Sequence, residues 1–291
     1  MRVTEPGFYD LSEADYFSDP CPQPSLTQSL AKTLIRRSPA HMWWEHPRLN
    51  PNYEHENNEK FDLGAASHAI LFGRGRPVVI GDFADYRKKE ARMWRDLAYG
   101  RGEVPLLKEQ HERANDMVKK FQQDCQIEDG RARKEVALIA EMKGIWLRTK
   151  IDWLSYDALV VVDYKTTSHI MERNQLHGFA VNSGWHIQAA MHERLLQYLK
   201  PLKKGQHRVH YFILQETTPP YSLYRCELGN AMMELGRAQV GEAVSTFKRC
   251  LSSDQWPGPS EELLLISPPG WAIAQHQEAT LGKADFGKAD L

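Results

Sequence analysis

Cysteine is scarce in this sequence. The 291 residues contain four cysteines, and no two of them form a C-x-x-C pair. Isolated cysteines of this kind exclude a zinc ribbon and an iron–sulfur cluster built on closely spaced thiolates, and they suit reduced thiols in a cytoplasm. The four residues are Cys21, Cys125, Cys226 and Cys250.

Long apolar runs are also lacking. No run approaches the length needed to span a membrane, and the opening Met-Arg-Val-Thr-Glu-Pro-Gly lacks the apolar core of a secretory signal. We therefore expect a cytoplasmic protein with no membrane partner. The formal net charge of −1 excludes a globally basic nucleic-acid coat, although a local basic channel would be enough to bind nucleic acid.

Hydrophobic residues make up 42% of the chain and charged residues 26%, which is typical of a soluble globular protein. Four prolines in residues 1–24 predict an extended N-terminal arm. A folded domain is predicted over 25–251, followed by a loop-rich tail over 252–291. The sequence Gly-Lys-Ala-Asp occurs at 282–285 and again at 287–290. This duplication predicts a disordered tail, with a partner-binding peptide as the alternative.

Hydrophobic periodicity predicts the elements of the folded domain. The first helix is expected to have its N-cap at Ser25 or Thr27 and to end before Pro39. The predicted helices cover residues 25–37, 61–72, 105–125, 185–199 and 231–251, and the predicted strands cover 135–142, 146–154, 159–167, 207–216 and 221–228.

The segment 151–167 carries the main chemical pattern. Two short β-branched runs flank a turn, which predicts a β-hairpin. If the turn is formed by residues 157–158, Asp152 lies opposite Asp163. Facing carboxylates repel one another, and a divalent cation between them would remove that penalty. A four-residue turn shifts the register by one pair but keeps the two carboxylates near each other.

Two carboxylates and an ammonium group suit metal-assisted phosphodiester cleavage. Lys165 shares a strand face with Asp163, because side chains two apart point the same way. Oxygen ligands hold Mg²⁺, which activates a water while the ammonium group orients the nucleophile. The plainer alternative is that Asp152 is an exposed strand residue and Asp163 caps a turn. However, an unpaired charge at the end of the apolar run 159–162 would be costly.

Asp152, followed by Asp163-Tyr164-Lys165, resembles the D…(D/E)-x-K signature of the PD-(D/E)xK nuclease superfamily. Together with the neighbouring Lys-Ile-Asp-Trp-Leu and Thr-Thr, this stretch resembles one group within the superfamily, the RecE-type exonuclease VIII nuclease domain. That domain is related to the RecB nuclease and lambda exonuclease. The resemblance implies an α/β fold with a central mixed β-sheet flanked by helices. It also implies that Asp152, Asp163 and the Tyr164 carbonyl bind the metal, while Lys165 positions the water.

The resemblance also implies roles for residues outside the hairpin. His68 ends a Gly-x-x-x-His pattern that supplies a metal-site histidine in such nucleases, although a lone helical histidine is often structural. Glu135 corresponds to an upstream glutamate ligand; Glu141 and an exposed strand position are the alternatives. Gln188 matches the glutamine of a Gln-x-x-x-Tyr pattern near the active site. His192 stands where the tyrosine is expected, which leaves its role open.

The basic segment 86–102 is a candidate DNA contact. Its positive side chains would neutralise phosphates, and the interleaved Trp94 and Tyr99 would stack on exposed bases. The alternative is a solvated helix face without a function. The residues selected as DNA contacts are Arg87, Lys88 and Arg92.

Three residues near the hairpin are also candidate DNA contacts. Arg148 and Lys150 share a strand face with Asp152, which would place them beside the scissile phosphate. Thr166 ends the second strand, where its hydroxyl would hydrogen-bond a phosphate, unless it is an ordinary turn residue.

Together these features predict a DNA exonuclease dependent on Mg²⁺, with Mn²⁺ as the alternative metal. The resemblance implies action on double-stranded DNA ends, 5′ to 3′, to supply single strands for recombination, including that of phages and prophages. Its implied partners are a single-strand annealing protein or recombinase and further copies of the chain in a ring. The alternatives are a structure-specific endonuclease, a helicase–nuclease subunit, or a non-catalytic DNA-binding module.

Overall fold

A mixed β-sheet of seven strands lies at the centre of the computed structural model, which describes residues 2–54, 58–125, 129–259 and 265–286. The chain divides into two compact units, residues 1–258 and 259–291. Its described strands are β1 Gly7–Tyr9, β2 Ser25–Thr27, β3 Val78–Gly81, β4 Val104–Leu107, β5 Ala132–Met142, β6 Ile145–Ser155, β7 Val160–Thr167, β8 Val209–Glu216 and β9 Leu223–Glu227. Its described helices are α1 Glu13–Phe17, α2 Gln28–Arg36, α3 Pro39–Trp44, α4 Glu59–Phe72, α5 Lys89–Gly100, α6 Lys108–Asp124, α7 Leu176–Ser183, α8 Trp185–Leu199, α9 Asn230–Ser253 and α10 Gly270–Phe286.

The central sheet has the order β1-β5-β6-β7-β8-β9, with β2 also paired to β6. The β7–β8 and β2–β6 pairs are parallel and the others are antiparallel, which confirms the predicted mixed sheet flanked by helices. On one edge, β6 pairs with β2 at residues 146–148 and with β7 at residues 153–154. Residues 149–152 therefore lie between the two pairings, where the sheet opens beside Asp152.

Apolar side chains alternate between the two faces of the sheet, as strand geometry requires. Leu154 and Val161 belong to a core that includes residues of α2, α8 and α9. Trp153 and Val162 belong to a second core, which includes residues of α4 and α6. Helices α4 and α8 therefore pack on opposite faces of the sheet.

The β6–β7 hairpin has the register predicted from a two-residue turn. Trp153 pairs with Val162, and continuing this register places Asp152 opposite Asp163. The turn is closed by a 2.8 Å hydrogen bond from the Ala158 N–H to the carbonyl oxygen three residues earlier. The hairpin thus brings both acidic residues to the part of the sheet that opens.

The N-terminal segment differs from the predicted extended arm. Its strand β1 pairs with β5 at the edge of the sheet, and Val3, Leu11 and Tyr16 are buried in a small core. The prolines of this segment discourage long regular elements, but the exposed edge of β5 supplies a partner that the local sequence does not reveal. The folded unit therefore includes residues 1–24 as well as the predicted 25–251.

Two further segments differ from the predictions. The helix predicted over 105–125 is shorter, because its first three residues belong to β4, which pairs in parallel with β3. In the second unit, α10 lies within the predicted loop-rich tail of 252–291. The first Gly-Lys-Ala-Asp copy, at 282–285, falls in this helix, while the copy at 287–290 lies outside the described residues.

All four cysteines are free thiols, in agreement with the expectation from their spacing. In the part of the chain that the structure describes, no helix is both long enough and apolar enough to cross a membrane.

Candidate active site

Three of the predicted metal ligands lie together. His68 on α4, Glu135 on β5 and Asp152 on β6 offer donor atoms that all lie within 4.8 Å of one another. His68 Nε2 is 3.2 Å from both Glu135 Oε1 and Asp152 Oδ2. We call these residues the cleft cluster, because they line a cleft of about 1420 Å³ that is also lined by Lys165 and Gln188.

A close contact between α4 and β7 positions His68. A β-carbon on Gly64, one turn before His68, would lie 2.5 Å from Thr166 Oγ1, so only glycine allows this approach without a shift. The His68 ring also packs against Phe72, with ring centroids 4.7 Å apart. The Gly-x-x-x-His pattern therefore has a steric cause: the glycine lets the helix bring the histidine down to the strand.

Glu135 has a strained backbone. Its φ is +53°, a left-handed value that is rare for a residue with a side chain. The residues on either side pair regularly with β6, so the irregularity is confined to this one position opposite Asp152. The side chain is buried and forms an ion pair with Lys150. Such strain persists where the surrounding structure imposes it, and it is frequent at functional sites.

Asp152 is held by the main chain of the neighbouring strand. The Tyr164 N–H donates a 2.8 Å hydrogen bond to Asp152 Oδ2. In an extended strand the N–H and C=O of one residue point toward the same neighbour, so the Tyr164 carbonyl also faces β6. Its ring points elsewhere, into the core beside Phe72 and Phe121. The predicted carbonyl ligand therefore lies on the appropriate side of β7.

Asp163 contacts a different set of residues. Gln188 Nε2 donates a 2.7 Å hydrogen bond to Asp163 Oδ1, and Lys165 Nζ lies 3.5 Å from the same oxygen. His210 Nε2 lies 2.5 Å from Asp163 Oδ2, and His192 Nδ1 lies 3.5 Å from it. We call Asp163, His192 and His210 the inner cluster; their donor atoms also lie within 4.8 Å of one another.

The two aspartates thus belong to separate clusters, which corrects the prediction of a cation gripped between them. The strand pairing ends at Trp153 and Val162. Beyond that pair, Asp152 turns to His68 and the Tyr164 main chain, whereas Asp163 is fully buried against α8 and β8. Opposite register is therefore not enough to make the two carboxylates share one ligand position.

Opposite charges balance the cleft cluster. Burial and the charge of Asp152 raise the pKa of Glu135. Burial also acts to raise the pKa of Asp152, but His68 and Lys165 outweigh it and lower that pKa. Burial acts to lower the pKa of His68, yet attraction to Asp152 and Glu135 prevails and raises it. When protonated, His68 supplies positive charge between two carboxylates, a role that a divalent cation can take over.

The donors of the cleft cluster fit a divalent cation. Glu135 Oε1 is buried and has no hydrogen-bond partner among the described residues, so a cation would satisfy an otherwise costly acceptor. Two carboxylates suit Mg²⁺ or Mn²⁺, and the imidazole nitrogen of His68 favours Mn²⁺. We infer that these residues can hold such an ion.

Arg148 is not available to DNA, contrary to the prediction. Its side chain is 2% exposed, and its Nε donates a 2.7 Å hydrogen bond to Ser25 Oγ. It also donates to the Tyr16 carbonyl and lies 3.5 Å from Asp19 Oδ1. Arg148 therefore ties the N-terminal segment to β6. Arg148, Lys150 and Thr166 all line the cleft, but only Lys150 and Thr166 are partly exposed there.

The basic segment 86–102 lies apart from the cleft. Its two interleaved aromatic residues are engaged within the fold, because Trp94 packs against Phe83 and the Tyr99 hydroxyl donates to Asp62. These rings are therefore not a stacking surface. The three predicted contacts are exposed and are not among the described residues that line the cleft: Arg87, Lys88 and Arg92.

Sequence reasoning missed two features of the site. His210 lies on β8 and reaches Asp163 across the parallel pair, a neighbour relation that local patterns do not show. Trp44 and Phe61 also line the cleft, with 62% and 70% of their surfaces exposed. Large exposed aromatic side chains are unusual. Their presence together beside the acidic residues indicates a binding surface, but this signal becomes visible only after the cleft has been located.

Comparison with known proteins agrees with this fold. A family model described as a PDDEXK-like domain of unknown function (DUF3799) matches residues 29–267. A crystal structure described as a "Putative exonuclease" from Eubacterium rectale has a similar fold, with a TM-score of 0.59 and 13% sequence identity over 91% of this chain and 98% of that one. No curated protein sequence matches the chain. The findings support the PD-(D/E)xK fold of a nuclease, whereas the narrower likeness to RecE-type nucleases stays a prediction.

Proposed function

The chain belongs to the PDDEXK-like DUF3799 family, and from this premise we propose that it is a metal-dependent nuclease that hydrolyses phosphodiester bonds at double-stranded DNA ends. The observation that carries the proposal is the cleft cluster. An imidazole and two carboxylates present donor atoms within 4.8 Å of one another, in a cleft that Lys165 also lines.

We assign the metal ligands as His68, Glu135 and Asp152, with the Tyr164 carbonyl as a further ligand, while Asp163 in the inner cluster positions Lys165. A bound Mg²⁺ or Mn²⁺ would supply Lewis-acid activation of the attacking water and of the phosphodiester. Lys150 neutralises Glu135 and, with Thr166, offers polar contacts to the phosphates beside the scissile bond.

Lys165 acts as a fixed positive charge. Burial acts to lower its pKa, but Asp163 and Asp152 outweigh burial and raise it. The side chain therefore stays an ammonium group at neutral pH, which donates hydrogen bonds and cannot take up a proton. Its role is to orient the water and to stabilise negative charge on the phosphate. Gln188 holds Asp163 Oδ1 and so keeps the carboxylate beside Lys165.

The cleft fits a strand of nucleic acid. Its volume of about 1420 Å³ exceeds the usual size of a pocket for one small ligand, and it is lined by residues from several elements. The exposed rings of Trp44 and Phe61 offer stacking faces to unpaired bases, because every base has a face that can stack. We therefore propose that the substrate strand enters as a single strand at the end of a duplex.

Degradation from an end is supported by the fold neighbour described as an exonuclease and by the resemblance of the hairpin to RecE-type nucleases. On this basis we propose 5′ to 3′ resection that leaves a single strand for an annealing protein or recombinase. A ring of several copies, as in those relatives, would hold the duplex during repeated cleavage.

The test is a cleavage assay on end-labelled linear duplex with Mg²⁺, Mn²⁺ or EDTA, beside a covalently closed circle. We expect mononucleotides or short products from the linear DNA, none with EDTA and no cutting of the circle. D152N removes one charge from the cleft cluster and should slow cleavage on the order of 10²-fold or more. D116N, at an exposed position on α6, serves as the matched control.

The endonuclease and the non-catalytic module, two of the alternatives, each predict a different outcome. Cutting of the closed circle would replace the exonuclease by an endonuclease. Equal activity of D152N and the parent protein would refute the assignment of the cleft cluster. If the protein binds DNA but cleaves it with neither Mg²⁺ nor Mn²⁺, the non-catalytic DNA-binding module is the remaining alternative.

A further inference from the structure

The inner cluster joins three elements behind the cleft. Asp163 lies on β7, His192 on α8 and His210 on β8. Asp163 and His192 are 0% exposed, so the cluster is closed to solvent on the side of α8. The two imidazole rings stack, with centroids 5.1 Å apart and an interplanar angle of 13°. Both rings lie next to the same oxygen of Asp163.

His192 is poorly satisfied in this position. Neither of its ring nitrogens has a hydrogen-bond partner among the described residues, and Nδ1 lies 3.5 Å from Asp163 Oδ2. A buried polar group without a partner is destabilising, because it has lost its hydrogen bonds to water. A neutral imidazole has one nitrogen lone pair free to bind a metal ion, and an ion beside Asp163 would remove part of this cost.

The donor set differs from that of the cleft cluster. Two imidazoles and one carboxylate favour a borderline transition-metal ion, and Zn²⁺ takes histidine nitrogen and aspartate oxygen readily. Asp163 Oδ2 lies 2.5 Å from His210 Nε2 and 3.5 Å from His192 Nδ1, so an ion bound by all three would replace the hydrogen bond between Asp163 and His210. We propose that Asp163, His192 and His210 form a second, buried metal site that binds Zn²⁺.

This site would fix the active-site carboxylate. The Asp163 oxygens face different partners: Oδ1 faces Gln188 and Lys165, and Oδ2 faces the two histidines. An ion on the Oδ2 side would hold α8, β7 and β8 together and orient the Oδ1 side toward Lys165. That consequence for catalysis depends on the proposed nuclease function, whereas the binding of Zn²⁺ does not.

The experiment measures Zn²⁺ bound per chain after EDTA treatment, reloading and desalting, in a background in which H68Q weakens the cleft cluster. We expect one Zn²⁺ per chain in H68Q and a loss of that ion when H192L or H210Q is added. H186Q provides the matched control, because His186 is a buried histidine of α8 bonded to Gln239 and outside both clusters. It should leave the bound Zn²⁺ unchanged.

A second readout separates metal binding from a folding defect. Zn²⁺ should raise the thermal unfolding temperature of H68Q but not that of H68Q/H210Q. His210 is only partly buried, so H210Q keeps the test decisive if H192L does not fold. Equal Zn²⁺ content in H68Q and H68Q/H210Q, or no Zn²⁺ in H68Q, would overturn the proposal. Zn²⁺ binding in a protein that never cleaves DNA would instead refute only the nuclease function.

Discussion

Gly64 lies directly against Thr166, so that a β-carbon on the glycine would come 2.5 Å from the threonine Oγ1. This contact joins the helix that carries His68 to the strand that carries Asp163 and Lys165. The distance between α4 and β7, and with it the position of His68 in the cleft cluster, therefore depends on the absence of a β-carbon at Gly64.

We expect G64A to destabilise the protein by about 1–3 kcal/mol, because the added methyl group must push α4 away from β7. T166A should restore most of the loss, since the β-carbon of residue 166 would lie 3.6 Å from the added methyl group, an ordinary contact distance. Urea unfolding of the parent, both single variants and G64A/T166A measures this coupling. Additive effects in the double variant would show that the contact does not limit the helix position.

The positive φ of Glu135 allows a test in which strain and side-chain loss are separated. E135G and E135A both remove the carboxylate, but only glycine accepts a φ of +53° without cost. We expect E135G to be more stable than E135A by about 1 kcal/mol in urea unfolding without metal, and both to lose nuclease activity. If the two variants are equally stable, the left-handed conformation is not maintained in solution.

Local signals were enough to predict the β6–β7 register and the start of α8. The turn between two β-branched runs determines which residues face each other, and Gly184, at a φ of +79°, directly precedes the helix that begins at Trp185. The position of Asp152 opposite Asp163 in this register could be predicted for the same reason.

Non-local pairing explains what could not be predicted. Arg148 and Lys150 lie four and two residues before Asp152 and share its strand face, but the N-terminal segment covers only Arg148 and supplies its partners. His210 reaches Asp163 only because β8 lies parallel to β7 in a particular register. These outcomes depend on segments far apart in sequence, which no pattern within a strand reports.

The aromatic rings of the cleft should contribute measurably to the affinity for single-stranded DNA. We expect W44A and F61A each to weaken the binding of single-stranded DNA by between about 5-fold and 100-fold, as loss of one stacked base does. Fluorescence anisotropy with a labelled oligonucleotide in EDTA measures binding without cleavage. W271A, at a residue that is 71% exposed in the second unit, is the control. Unchanged affinity in W44A and F61A would exclude base stacking in the cleft.

The basic segment should instead affect how the affinity for duplex DNA depends on salt concentration. Arg87, Lys88 and Arg92 are exposed outside the cleft lining, so any contact that they make is with DNA outside the cleft. We expect R87A/K88A/R92A to reduce the slope of log affinity against log salt by up to about 3 for a duplex, since each lost phosphate contact lowers it by roughly one. An unchanged slope would make this segment a solvated helix face without a role in binding.

His46 predicts how stability depends on pH, at a position away from both clusters. The ring is 0% exposed; its Nε2 donates to the Ser25 carbonyl at 3.1 Å, and its Nδ1 accepts from the Arg48 N–H at 3.1 Å. Protonation of Nδ1 would lose that acceptor and place a charge in the interior. Burial accordingly lowers the pKa of His46 to about 4, from an ordinary value of 6.5.

Between pH 6.5 and pH 4 the unfolded chain therefore binds a proton that the folded His46 does not. The contribution of His46 to stability should be fully present above pH 6.5. It should be lost as the pH falls through this window, which lowers the free energy of unfolding by up to about 3 kcal/mol. Urea unfolding across the window should show a shallower decline in H46Q than in the parent or in H41Q, a change at an exposed histidine of α3. His192, whose pKa burial also lowers to about 4, adds the same sign in every variant, so the decline in H46Q should be reduced and not abolished. Parallel curves for H46Q and the parent would mean that His46 is already protonated in the folded protein, with Asp19 as its counter-ion 3.6 Å away.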